Sequence, residues 1–416
     1  MTLSNFKIIL FSSIPIGIII GPTISTLFIA SIIFICFFEI LKKKKFETFY
    51  NKDVLVLFII NIYLIINLIL SKDFENSAIR NLGFIRYVLF AISTIYIFIY
   101  LKNSQKIFKI WTITILVVLL DIYIEFIFGR NILGFSGPQG SWGSRIVSFF
   151  KDEQVAGTFI FTFIIVIIGY LLESYKSKRA LVIILFLIIF SVIGIALTGE
   201  RSSLIKCLFA ILFILFFTNR LNIKKKIIFF LFIFFSLTVV INSSKFLKTR
   251  FEGQFLSNFY TIEKFQKFKN ESLYVKLYRG GLKIYEENKI FGVGNKNYSK
   301  ECFNTFNLEY KINKKLNYIC STHPHQIYFE FLSEHGIFGT LILLISIFFI
   351  IFNNIKIYIK KRNNIHLGCI AYTISMFLPF LPSGSFFSNF NSTMFFINFC
   401  LMIAFSRINF KSKIYK

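Results

Sequence analysis

Long apolar runs recur along this chain of 416 residues, and they constrain its fold more than any other feature. A helix of about 18 to 20 apolar residues crosses a bilayer core of roughly 30 Å, and in lipid only such a helix satisfies its own backbone. Charged residues make up 16% of the chain, against about a quarter in soluble domains. The predicted spans are 6–21, 23–41, 53–71, 84–101, 108–128, 154–172, 180–198, 202–218, 227–242, 336–353, 366–383 and 388–406. We therefore predict an all-α polytopic membrane protein with about twelve transmembrane helices.

Basic residues cluster between alternate pairs of the predicted spans. The six clusters are Lys42, Lys43, Lys44, Lys45 and Lys52; Lys102, Lys106 and Lys109; Lys176, Lys178 and Arg179; Arg220, Lys224, Lys225 and Lys226; Lys356, Lys360, Lys361 and Arg362; and Arg407, Lys411, Lys413 and Lys416. All six fall on the cytoplasmic side if both termini are cytoplasmic, as the positive-inside rule requires. Topology thus explains most of the net charge of +27 and argues against nucleic-acid binding.

One substantial region, residues 243–325, is left outside the cytoplasm. It holds fifteen Lys/Arg against seven Asp/Glu, and long loops escape the charge rule. A cationic surface facing an anionic substrate is the simplest explanation. Cys302 and Cys320 lie in this region and are candidates for a disulfide in an oxidising periplasm. The predicted divisions are transmembrane helices at 1–242, a periplasmic catalytic region at 243–335 and transmembrane helices at 336–416.

Charged residues interrupt the apolar pattern in the stretch LTGERSSLIK. Glu200 and Arg201 form a tight turn between two predicted spans, and Lys206 lies a little more than one turn into the next helix. Charges at this depth are costly and usually mark a site, although an arginine can also reach lipid headgroups. Arg279, followed by two glycines, offers a planar fork suited to phosphate oxygens.

Three of the four histidines lie in the stretch THPHQIYFEFLSEHGIFG. His323 and His325 flank a proline on an extended segment, and no third ligand stands at a metal-motif spacing, so no metal site is predicted. A neutral histidine is a natural general base for a sugar hydroxyl. We therefore expect His325 to be the base, His323 to have a supporting polar role and His335 to be structural.

Further arginines stand on the predicted outer side, at Arg80, Arg86 and Arg145. Together with Arg201 and Arg279 beside a histidine, they suggest a chamber that binds a diphosphate. The stretch FGVGNKNY lacks the third glycine and the βαβ context of a dinucleotide site. Gly292 and Gly294 are therefore interpreted as a tight backbone turn.

The stretch HQIYFEFLSEHGIFG fits the pattern H-[NSQ]-x9-G-x2-[GTY] through His325, Gln326, Gly336 and Gly339. This resembles the signature of bacterial O-antigen ligases, whose relatives include the Wzy-type O-antigen polymerases. TGERSSL resembles the Thr-Gly-x-Arg turn of that superfamily, and IFGVGNKNY resembles its loop segment before the histidine. The sequence departs from the ligase pattern at Lys283, where leucine is usual.

The resemblance implies a GT-C-like glycosyltransferase of the bacterial inner membrane, with an active site facing the periplasm and no metal or cofactor. Such an enzyme moves a glycan from undecaprenyl diphosphate to an acceptor. His325 then looks like the base, and Arg201 and Arg279 look like the diphosphate binders. The wider set of expected substrate-binding residues is Arg80, Arg86, Arg145, Glu200, Lys206, His323 and Gln326.

Three functions remain open on the sequence. An O-antigen ligase, with lipid A–core as acceptor, is favoured over a polymerase, whose acceptor is another lipid-linked glycan. For either enzyme, we predict direct displacement with inversion at the anomeric carbon. A transporter or flippase of lipid-linked sugar is the third reading, but internal repeats and intramembrane charges on both sides of the midplane are not found.

Overall fold

The computed structural model describes residues 3–137, 139–140, 143–151, 153–312 and 319–408. Its α-helices, numbered α1 to α18 in chain order, are Leu3–Ser12, Ile14–Ile20, Pro22–Lys42, Lys52–Ile69, Phe74–Gly83, Ile85–Tyr100, Gln105–Phe128, Ala156–Ser174, Lys178–Leu197, Arg201–Phe217, Ile223–Asn242, Lys245–Lys248, Ile262–Glu271, Leu273–Glu287, Tyr298–Ile312, Ile327–Lys361, Asn364–Met376 and Asn389–Arg407. The described residues also contain two antiparallel strands of two residues, Gln139–Gly140 and Gly143–Ser144, together with short 3-10 and π-helical turns at Phe46–Thr48, Ser148–Phe150, Thr249–Gly253 and Leu256–Phe259. The predicted basic tail residues Lys411, Lys413 and Lys416 lie outside the described residues.

Nine of the helices in the described residues are long and apolar enough to cross a membrane, with α5 and α6 counted as one. The pair α1 and α2, bent by 46°, makes a tenth if it is a single broken span. This agrees with a polytopic helical membrane protein. Helices of 17 and 13 residues, α10 and α17, replace the two other predicted spans. The count of about twelve spans therefore stays a prediction.

The chain leaves α17 earlier than the apolar pattern indicates. The predicted span 366–383 is too long, because α17 ends at Met376. Pro379 and Pro382 follow, and proline both lacks a backbone donor and disfavours helix in the residue before it. Residues 377–388 consequently form a loop between α17 and α18, and this loop reaches the candidate site described below.

The connections that carry the basic clusters meet at one end of the helix bundle. Arg407, the last residue of α18, donates hydrogen bonds to the backbone carbonyls of Glu47 and Tyr50, between α3 and α4. Arg220, between α10 and α11, donates to the carbonyl of Leu172 near the end of α8. Lys361 donates to the carbonyl of Ser406, the side chain of Asn364 to Glu173, and the hydroxyl of Tyr100 to Glu47. The six predicted clusters thus share one side, apart from the tail residues named above.

Helices α8 and α18 lie in the centre of the bundle, because 83% of the residues in the apolar stretch of each helix are buried. By contrast, only 17% of the residues in the apolar stretch of α11 are buried, as expected of a helix on the lipid-facing perimeter. The region that follows α11 contains the short helices α12 to α15 and lies at the end opposite the basic clusters. Because α16 begins at Ile327, the last part of the predicted 243–335 region is helical.

Candidate functional site

A cavity of about 1370 Å³ lies at the end of the bundle opposite the basic clusters. Segments distant in the sequence line it, including the α2–α3 corner, the start of α10, helix α14 and the 377–388 loop. Its polar lining includes Arg145, Glu200, Arg201, Lys206, Arg250, Tyr274, Arg279 and His325, and its apolar lining includes Ile18, Phe149, Phe161, Met376 and Phe390. Six of the predicted site residues therefore face one space.

Glu200 anchors the turn between α9 and α10 to the start of α8. Its carboxylate accepts hydrogen bonds from the backbone amides of Gly157 (2.6 Å) and Thr158 (3.0 Å), and from the hydroxyls of Thr158 and Ser203. Amides at a helix N-terminus lack partners within the helix and favour a negative charge. A side chain at Gly157 would press on Glu200 and Thr198. Glu200 thus positions the neighbouring Arg201.

Two arginines tie this turn to the segment that follows α12. Arg201 donates to the backbone carbonyls of Arg250 (3.3 Å) and Gln254 (3.1 Å). In return, the Arg250 guanidinium donates to the carbonyl of Gly199 (3.3 Å) and to the side chain of Gln254 (2.9 Å). Arg250 was not among the predicted site residues. Its only signal in the sequence is the excess of basic residues in the outer region.

Arg145, Arg201 and Arg250 form a group of like charges at the cavity wall. Burial, and then the charges of Arg145 and Arg201, lower the pKa of Arg250 to about 10, so it remains cationic at neutral pH. Arg145 donates to Gln154 (2.7 Å), while the Nε groups of Arg145 and Arg250 are buried without a partner. Among the described residues, no carboxylate lies within 4 Å of the cationic nitrogens of the three, although the charge of Arg145 acts on Glu200 from farther away. The group is suited to an anion.

His325 lies immediately before α16 with a left-handed backbone, at φ 57°. Its carbonyl accepts a hydrogen bond from the amide of Ser383 in the 377–388 loop (2.8 Å). Its ring packs against Tyr274, and Nε2 lies 3.4 Å from the hydroxyl of Ser321. Burial, and then the nearby charge of His323, lower the pKa of His325 to about 4. The imidazole is therefore neutral at pH 7 and can accept a proton.

The neighbours of His325 hold the backbone around it. The side chain of Gln326 accepts hydrogen bonds from the amides of Tyr328 (2.7 Å) and Phe329 (3.1 Å), and so caps the start of α16. The ring of His323 lies 4.0 Å from that of His325, and its Nε2 lies 3.3 Å from the carbonyl of Ser383. Neither Gln326 nor His323 is among the residues that line the cavity.

The remaining predicted arginines differ in position. Arg279 is exposed at the cavity and donates to the carbonyl of Lys269 near the end of α13 (3.0 Å). Arg80 instead donates to the hydroxyl of Ser385 (3.3 Å). Arg86 donates to Asn389 (2.8 Å). Arg80 and Arg86 are absent from the cavity lining, so the structure brings together three of the five predicted arginines, together with Arg250.

A backbone clamp explains the motif glycines. Gly336 (φ 60°) breaks α16, and the loop 289–294 occupies the break. The amides of Val293 and Gly294 donate to the carbonyls of Ser333 (3.0 Å) and Glu334 (2.9 Å). The carbonyls of Lys289 and Ile290 accept from the amides of Ile337 (2.8 Å) and Phe338 (3.2 Å). In an unbroken helix, the amide of Ile337 would donate to the carbonyl of Ser333, and the amide of Phe338 to the carbonyl of Glu334.

Close contacts leave no room for side chains around this clamp. A Cβ at Gly292, where φ is 71°, would lie 2.5 Å from the backbone of His335. Gly339 adjoins the hydroxyl of Tyr63, which in turn lies 3.0 Å from Nδ1 of the fully buried His335. The structure thus gives His335 a packing position between helices, away from the cavity lining.

Cys302 and Cys320 form a disulfide, with their Cα atoms 5.7 Å apart. This bond ties α15 to the segment that leads into His325. The other four cysteines are free and buried. The described residues contain no group of three or more His, Cys, Asp or Glu side chains that could hold a metal ion.

Residues 184–344 match the family model described as O-antigen ligase. The matched region runs from α9 into α16 and contains Arg201, Arg250, Arg279 and His325, but not Arg145. No curated protein matches the chain.

Proposed function

We propose that this chain is an O-antigen ligase, and the match of residues 184–344 to the family model described as O-antigen ligase supports the proposal. It would move a glycan from undecaprenyl diphosphate to lipid A–core, without a metal and with inversion at the anomeric carbon. One observation carries the proposal: a neutral histidine and a group of arginines without carboxylate partners line the same cavity.

The arginines are suited to the leaving group. A lipid-linked diphosphate carries negative charge, and more develops on its bridging oxygen as the bond to the sugar breaks. Arg145, Arg201 and Arg250 can stabilise that charge from fixed positions, which is the usual way that an enzyme lowers such a barrier. Arg279 would join them by exchanging the carbonyl of Lys269 for a phosphate oxygen.

His325 would act on the acceptor. Its neutral imidazole takes the proton of the acceptor hydroxyl, whose oxygen bonds to the anomeric carbon as the carbon–oxygen bond to the diphosphate breaks. The electron pair of that bond goes to the diphosphate. A bound diphosphate also favours the imidazolium, because opposite charges raise the pKa of a histidine. Donor binding would therefore make His325 a stronger base.

The apolar part of the cavity lining suits the prenyl chain. Ile18 lies in α2, Phe161 lies in the central helix α8, and Phe390 lies in the first turn of α18. We therefore propose a GT-C-like enzyme of the bacterial inner membrane whose cavity faces the periplasm, with both termini in the cytoplasm.

Transfer by the purified protein tests the proposal. Undecaprenyl-diphosphate-linked oligosaccharide would be supplied with EDTA, with lipid A–core in one reaction and no added acceptor in the other. We expect glycan on lipid A–core, with activity reduced at least about a hundredfold in His325→Ala, because general-base catalysis contributes roughly 10²–10⁴-fold.

The control variant is Lys267→Gln, which alters an exposed lysine of α13 outside the cavity lining and is expected to keep full activity. Longer lipid-linked chains without added core would instead identify a Wzy-type polymerase. Equal activity in His325→Ala and the unmodified protein would contradict the assigned base.

A further inference from the structure

Lys206 is a buried cation without a partner. Its side chain belongs to α10, it is 6% exposed, and it lines the cavity. Within the described part of the chain, neither a hydrogen bond nor an ion pair to Lys206 is present, and its ammonium is not among the unpaired polar atoms that are sealed away from the cavity. Burying an ammonium without compensation is costly, and such groups at membrane depth are usually functional. An anion that enters the cavity would supply the missing partner.

The position of Lys206 sets it apart from the arginines. It follows Arg201 by five residues in the same helix, which is roughly 7.5 Å farther along the axis at 1.5 Å per residue. That direction leads from the outer end of the bundle toward its centre, where Phe161 and Met376 line the cavity.

A lipid-linked diphosphate is also arranged by depth. Its prenyl chain lies in the bilayer, the phosphate joined to that chain is the deeper of the two, and the phosphate joined to the sugar lies farther out. Arg145, Arg201 and Arg250 are at the outer level of the cavity, and Lys206 is below them. The two levels of cations thus correspond to the two phosphates.

We propose that Lys206 binds the lipid-proximal phosphate of the donor, while the three arginines bind the sugar-proximal phosphate. This inference rests on the proposed function, because it assumes a lipid diphosphate donor. Lys206 would thus recognise the phosphate joined to the lipid, and the arginines would stabilise the oxygen whose bond to the sugar breaks.

Binding of two lipids to the full-length protein tests the assignment. Radiolabelled undecaprenyl diphosphate and undecaprenyl phosphate would be titrated against protein in nanodiscs of neutral lipid. The monophosphate keeps only the lipid-proximal group. We expect Lys206→Met to weaken binding of both lipids about tenfold, the effect typical of losing one hydrogen bond to a charged group.

Arg250→Gln is the matched variant at the other level. It should weaken binding of the diphosphate about tenfold and change binding of the monophosphate less than twofold. Lys206→Arg, which keeps the charge, should restore most of the affinity for both lipids and so separates charge from packing. Lys267→Gln, an exposed lysine of α13 outside the cavity lining, should bind both lipids normally.

Each outcome decides between the proposals. Unchanged binding of the monophosphate by Lys206→Met would overturn the assignment of Lys206 alone, and so would a loss confined to the diphosphate. Displacement of the undecaprenyl lipids by phosphatidylglycerol added to the nanodiscs would also overturn it, since an ordinary headgroup would then be the partner of Lys206. If the unmodified protein binds neither undecaprenyl lipid, the proposed function fails together with this inference.

Discussion

His325 shows how a single residue can be set apart from its neighbours by backbone and burial. A non-glycine residue with positive φ is uncommon and is maintained by surrounding contacts. Here the amide of Ser383 and the capped start of α16 provide those contacts. The side chain is consequently directed toward the cavity, whereas His323, two residues earlier, contacts the 377–388 loop. The same residue type therefore has two environments within three positions.

The proposed role of His325 as the base predicts how catalysis should depend on pH. Because burial lowers its pKa to about 4, the free enzyme holds the neutral base at any pH above that value and loses it as pH falls through it. We predict that kcat/KM stays level between about pH 8 and pH 5 and falls about tenfold per pH unit below about 4. The acidic fall in kcat should occur at higher pH than the fall in kcat/KM, since the bound diphosphate favours the imidazolium.

Steady-state kinetics across this range would check the prediction. His323→Asn is the informative comparison, because the charge of His323 is the second cause of the low pKa of His325. In His323→Asn, the pKa of His325 should rise, so the acidic fall in kcat/KM should occur at higher pH than in the unmodified protein. A limb near pH 6.5 in the unmodified protein, the ordinary value for histidine, would contradict the buried environment.

The sequence identifies some of these residues and not others for physical reasons. His325 and Arg201 stand in short motifs whose neighbours fix the local backbone, so their positions can be anticipated. Arg250 has no such motif, and it meets Gly199 only because the segment after α12 folds back over the α9–α10 turn. Arg86 was predicted near the substrate from its depth, but its contact with Asn389 of α18 depends on helix packing that spacing does not reveal.

Among the elements, α16 differs most from a simple membrane span. Hydropathy indicates a start at residue 336, yet the helix begins at Ile327 and breaks at Gly336. The first part carries Glu330, which accepts hydrogen bonds from Ser385 and Phe386 of the 377–388 loop. Hydropathy averaged along the sequence assigns these buried polar residues to a loop, because the average does not take account of hydrogen-bond partners that are distant in the sequence. The motif glycine itself was predictable, but the inserted loop was not.

Replacing Gly336 by alanine should destabilise the protein. Its φ of 60° disfavours a side chain, and a Cβ would press on the carbonyl of Ile290 in the inserted loop. We predict a loss of at least about 2 kcal/mol in the free energy of unfolding, from backbone strain and lost clamp hydrogen bonds. Thermal unfolding of the purified variant in detergent would measure the decrease.

Gly83→Ala provides the matched control. Gly83 ends α5 and has open space where a Cβ would stand, so alanine should be neutral or slightly stabilising there. Equal unfolding temperatures for Gly336→Ala and Gly83→Ala would show that the clamp does not contribute to stability.

For the whole molecule, the arrangement of charge predicts the orientation in the membrane. The basic connections meet at one end and the cavity lies at the other, so the positive-inside rule directs the cavity outward. We predict that a cysteine at Lys267, in α13, reacts with a membrane-impermeant maleimide in intact spheroplasts. A cysteine at Lys224, in the basic cluster at the start of α11, should react only after permeabilisation.

The native cysteines favour this measurement, because two are joined in a disulfide and the other four are buried. The unmodified protein should therefore give little background labelling. Reaction at position 224 in intact cells, with protection at position 267, would reverse the orientation and place the cavity on the cytoplasmic side.

The 377–388 loop has a consequence for the way the protein is made. Its Ser383 amide holds the His325 carbonyl, and its Pro382 carbonyl accepts from Ser202. Chains fold from the N-terminus during synthesis, so a nascent chain that has inserted α1 to α16 already carries the arginines and the histidine. It still lacks the loop that fixes them. Helices α17 and α18, which leave the ribosome after these residues, therefore complete the cavity, and a chain released before α18 carries the reactive groups without their geometry.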